Sequence, residues 1–66
     1  MTLPSDEELR LNVQAMRDRA AQLRAWGDAT KPGRMRYGLH RAARDLTNGA
    51  DELEAAIMAT QPEKAA

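Results

Sequence analysis

The side chains able to do chemistry in this sequence are few and badly spaced for it. His40 is the single histidine, Ser5 the single serine, and cysteine is absent. Without a thiol there is no disulfide framework, no cysteine zinc site and no thiolate nucleophile. At the spacings that share a helix face, His40 has Arg36, Tyr37, Ala43 and Arg44, so no carboxylate or second imidazole stands beside it along its own helix. Asp45 is offset from it in helical phase. A Ser-His-Asp set would have to use Ser5, whose place before Asp6-Glu7-Glu8 gives it a capping role. Lys31-Pro32-Gly33 lacks the glycine spacing of a phosphate loop. Asp51, Glu52 and Glu54 lack the loop spacing of a calcium site. The expectation is a protein that is not an enzyme and holds no metal or cofactor.

Charge is the more informative pattern. Ten basic and ten acidic residues cancel overall, but they are segregated along the chain. Residues 17–44 carry eight basic side chains against Asp18 and Asp28, while the segments on either side are net acidic. Eight of the ten basic residues are arginine. That usage suits a phage or mobile-element accessory protein.

The elements that must position these charges are helical. Alanine, leucine, arginine, glutamate and glutamine dominate, and β-branched and aromatic residues are scarce. Ser5 with Glu8 at the third helical position forms a capping box, with Leu3-Pro4 just ahead, and the early acids suit the positive end of the helix dipole. Leu9, Val13, Met16, Ala20 and Leu23 follow as one apolar stripe. Gly27 reads as a C-cap, which predicts a first helix over about 6–26 and a loop over 27–33. Thr30 or Asp28 is placed to cap the next helix, with Pro32 in its first turn.

A second stripe runs through Met35, Leu39, Ala42, Leu46, Gly49, Leu53, Ala56 and Thr60, predicting a second helix over about 34–60 and a frayed tail at 61–66. Asn48-Gly49 leaves two readings open there. Its turn chemistry argues for a break, and the unbroken phase of the stripe argues for a continuous helix.

Two amphipathic helices and a short loop predict an all-α antiparallel helical hairpin. Folding the chain back sets Trp26 over Gly38, Arg19 by Asp45 and Asn12 by Glu52. On the other flank Ala43, Ala50 and Ile57 read as an apolar strip, rimmed by Arg10, Arg17 and Arg24 with no acid opposite. Of the 28 apolar residues 13 are alanine, so a lone hairpin has little to bury. Self-association is therefore expected through Arg17, Ala43, Ala50 and Ile57, as a homodimer forming a four-helix bundle.

Folding back also gathers the basic segment at the turn. Arg24, Trp26, Lys31, Arg34, Arg36, Tyr37, His40, Arg41 and Arg44 form the expected partner-binding tip. Arg34 and Arg36 oppose the dipole of the second helix, so helix stabilisation does not account for them. The function this points to is a protein–protein interaction module: an adaptor, regulator or inhibitor of a larger, as yet unidentified protein. Nucleic acid is the alternative partner of the basic tip, though a net charge of zero is unlike most basic binders. A structural assembly piece is the third reading. No apolar run is long enough for a membrane span, and the acidic start has no apolar signal core. Together with the absence of cysteine, this makes the cytoplasm the expected compartment.

Overall fold

The structure, a computed structural model, describes residues 5–60. It is an all-α helical hairpin of two elements, α1 over Asp6–Ala29 and α2 over Arg34–Thr60. The readings of Leu3-Pro4 and of a frayed tail at 61–66 fall outside the described residues.

The start of α1 is held as its sequence predicts. The Glu8 backbone N–H donates to Ser5 Oγ at 3.1 Å, and the Ser5 N–H donates to Glu8 Oε1 at 2.9 Å. Asp6, Glu7 and Glu8 occupy the first turn, where the helix dipole favours negative charge.

The end of α1 differs from expectation. Gly27 does not stop the helix; it lies buried inside it, and the cap is Thr30. The Thr30 N–H donates to the Gly27 carbonyl at 3.1 Å and its hydroxyl donates to the Trp26 carbonyl at 2.6 Å, satisfying two of the helix-end acceptors. Thr30 thus closes α1 rather than opening α2. At the start of α2, Gly33 takes φ +149°, which L side chains rarely adopt. Its carbonyl accepts the first helical hydrogen bond, from the Tyr37 N–H at 3.0 Å. The chain reverses in four residues rather than seven.

Helix α2 crosses Asn48-Gly49 without interruption. The turn preference of that pair is overridden by packing on both sides: Ala50 is buried beside it, and a Cβ on Gly49 would stand 3.1 Å from Met16 Cε.

The seam between the helices is built of small side chains. Val13, Ala20 and Gly27 of α1 are buried, as are Ala43, Ala50 and Ile57 of α2. Each set repeats every seven residues, so it stays on one face of its helix. Ala50 is 0% exposed and Ile57 1%. Val13, Ala50 and Ile57 form the core cluster, with Leu9, Met16 and Leu53 packed over it.

The strip expected to be open for a second hairpin is therefore already closed. Ala43, Ala50 and Ile57 face α1 rather than solvent. The physical reason is that small contact residues let two helix axes approach closely along their whole length. Leucines at the same positions would hold the two axes apart.

Candidate functional site

With the seam on these residues, the hairpin has two unlike edges and an outer face on each helix. One edge is polar. Arg17 Nη2 reaches across to Asp51 Oδ1 at 2.9 Å and to Glu54 Oε1 at 2.7 Å. One turn or two further along, Arg24 Nη2 lies 3.4 Å from Thr47 Oγ1, a long contact. Beyond it, His40 Nε2 stands 2.9 Å from Asp28 Oδ1. The links step along α1 through 17, 24 and 28 as they step back along α2 through 54, 47 and 40, which is the register of an antiparallel pair.

Arg17 was read from sequence as having no acid opposite it, and the structure corrects that. With Ala43, Ala50 and Ile57 rather than the leucines turned to α1, Asp51 and Glu54 come beside Arg17. The hydrogen bond to Asp51, then the one to Glu54 and the charge of both, raise the Arg17 pKa above the usual arginine value, against some desolvation. The expected pairings on the other flank are corrected by the same rotation. A Cβ at Gly38 would meet nothing within 4 Å, so no ring packs there. Arg19 donates to Gln22 Oε1 at 2.7 Å and lies 5.4 Å over the Trp26 ring, in place of a pairing with Asp45.

His40 is closely fitted. A Cβ built on Gly27 would lie 2.4 Å from its Cδ2, so the imidazole occupies the space that glycine leaves on α1. Its carboxylate partner, Asp28, comes from the other helix, which spacing along one helix could not reveal. The single serine is engaged in the cap at the opposite end of the hairpin. Among the described residues no group of three or more His, Cys, Asp or Glu side chains is placed to hold a metal.

The expected partner-binding residues divide into groups. Tyr37, His40, Arg41 and Arg44 come together, lining a shallow groove on the outer face of α2 with Asp45 and Asn48. Tyr37 is 66% exposed at one end of it. Arg24 joins Asp28 and His40 in a second, smaller cleft at the polar edge. Lys31 and Arg34 are exposed around the turn, and Arg36 is half-buried. Trp26 is not brought into this group. It lies two residues from both Arg24 and Asp28, hence on the opposite side of α1. There it is 47% exposed and shares its face with Arg19. Among the described residues no carboxylate lies within ion-pair distance of Lys31, Arg34, Arg36, Arg41 or Arg44.

No protein family, curated protein or solved structure matches this chain. What the surface can do therefore has to be read from its own residues. A groove lined by an exposed tyrosine, two arginines and an imidazole, against the single carboxylate of Asp45, can hold carboxylates or phosphates on its arginines by charge-assisted hydrogen bonds, with the ring adding contact area. No helix among the described residues is long and apolar enough to cross a membrane.

Proposed function

We propose that this protein is a small non-enzymatic protein–protein interaction module of the cytoplasm, which docks the outer face of α2 against an acidic surface of a larger protein. Adaptor, regulator and inhibitor roles all follow from such docking. We further propose that the module works as a homodimer, with two hairpins completing a four-helix bundle.

The observation that carries the docking reading is the groove of Tyr37, His40, Arg41 and Arg44. Arginine and tyrosine, with tryptophan, are enriched among the few side chains that dominate binding at protein interfaces. Here two arginines stand without carboxylate partners among the described residues, beside an exposed ring. The dipole of α2 does not explain them, since neither is in its last turn.

The run of unpaired basic residues from Lys31 to Arg44 supports nucleic acid as the second reading of this surface. One experiment separates the two. The protein is used as bait in lysate of its own host, with and without nuclease, and captured proteins are then tested individually against purified variants. Docking predicts a protein that survives nuclease and loses at least roughly tenfold in affinity on Tyr37→Ala or on Arg41→Ala with Arg44→Ala. Recovery that vanishes with nuclease, with oligonucleotide binding that falls steeply with salt, overturns docking in favour of nucleic acid.

A further inference from the structure

The edge opposite Arg17 is apolar and only half covered. Leu9, Met16 and Leu23 line it from α1, and Leu39, Leu46 and Leu53 from α2, all of them partly exposed. Met35, 68% exposed, extends the row toward the turn. Ala42 and Gly49 between the α2 leucines keep the floor low enough for another helix to lie close. We infer that this leucine edge, not the Ala43–Ala50–Ile57 strip, is where a second copy of the chain packs, and that the two hairpins lie head to tail. The inference rests on the homodimer reading above and gives it a surface and an orientation.

The occupant is another copy because each hairpin carries both members of a complementary pair, a basic turn half and an acidic open half, beside the same apolar edge.

Charge fixes the orientation. By the register of the links from Arg17 to Glu54 and from Arg24 to Thr47, the turn half is residues 20–50, which carry six basic side chains against Asp28 and Asp45, net +4. The open half, residues 5–19 with 51–60, carries Asp6, Glu7, Glu8, Asp18, Asp51, Glu52 and Glu54 against Arg10, Arg17 and Arg19, net −4. Parallel hairpins would set like halves side by side. Head-to-tail hairpins set each positive turn half against the negative open half of the other copy, the complementarity that fixes register in oligomers. The Tyr37–Arg44 groove lies on the outer face of α2 and stays open in this arrangement.

The test uses the whole chain in two ways. Sedimentation equilibrium at micromolar concentration is expected to give twice the 7.3 kDa chain mass for the native protein, falling to the single mass on Leu46→Glu. Because that variant can also weaken the hairpin, orientation is tested separately by disulfide trapping, the native chain having no cysteine. A mixture of Lys31→Cys and Glu7→Cys chains is expected to cross-link one to the other, and neither variant to cross-link with itself. A folded native monomer removes the homodimer reading altogether. A dimer that Leu46→Glu leaves intact and folded, or Lys31→Cys chains that cross-link to one another, leaves the homodimer standing and overturns the leucine-edge, head-to-tail arrangement.

Discussion

The two edges of this hairpin flank the same seam and yet are finished differently. On one, Arg17, Arg24 and Asp28 reach across to Glu54, Thr47 and His40, and polar contacts close the gap between the helices. On the other, leucines and a methionine lean over the seam from both sides and stay half in water. Polar links fix register at small net energy, because exposed ion pairs exchange one set of hydrogen bonds for another. Apolar side chains gain in proportion to the surface removed from water. The polar edge thus specifies how the two helices meet, and the leucine edge holds the unspent hydrophobic free energy. Between them, the seam is close where Ala20, Gly27, Ala43 and Ala50 meet and is filled by Val13 and Ile57 toward the open end.

The largest expected effect comes from breaking what both edges depend on. Ala50→Glu puts a carboxylate at a position with 0% exposure. Burying that charge without a partner costs more than about 3 kcal/mol, enough to undo a hairpin of this size. Far-UV circular dichroism should show loss of most helical signal; a variant that stays fully helical would mean the seam lies elsewhere.

A medium effect sharpens the polar edge. Gly27→Ala gains about 1 kcal/mol in helix propensity, but its Cβ would overlap the His40 ring, so the ring must leave and the contact to Asp28 is lost. Thermal melting should show little net gain, or a loss, in the native background. In a His40→Ala background the same substitution should stabilise by about 0.5–1 kcal/mol. Equal shifts in both backgrounds would show that His40 does not occupy the space beside Gly27.

The smallest effect tests the link of longest reach in sequence. Arg17→Ala should lower the melting temperature less than Ala50→Glu does, and added salt should shrink the difference further. The pKa of Arg17 is raised in the fold, so its contribution is fully present below the unfolded arginine value and is lost only as pH rises through the raised one. The gap between native and variant melting temperatures should accordingly stay flat from neutral to moderately alkaline pH. A gap that closes across that range would assign the link to some other titrating group.

How far the sequence could be read differs between its two helices. The Ser5–Glu8 capping box and the start of α2 at Arg34 are local, so the residues that decide them are adjacent and the sequence shows them. Gly27 was misplaced because its two roles look alike in sequence. A glycine that ends a helix and a glycine that admits a ring from a neighbouring helix carry the same letter, and only His40 separates them. The expected stripe of α2 follows its leucines, whereas the structure centres the contact on Ala43, Ala50 and Ile57. The sevenfold repeat of Val13, Ala20 and Gly27 with Ala43, Ala50 and Ile57 was the available signal. Hydrophobicity alone weights leucine above alanine and hides it.

The sequence by itself therefore determined the helical state, the N-terminal cap of α1, the reversal of the chain and the segregation of charge toward the turn, since each depends on residues near one another along the chain. The tertiary structure alone decided which face of α2 meets α1. That rotation, about 60° by helix geometry, turned Ala43, Ala50 and Ile57 inward, gave Arg17 its acids and His40 its aspartate, and left the leucines at an edge. It is set by how closely two backbones can approach, a property of both helices together that neither stretch of sequence holds alone.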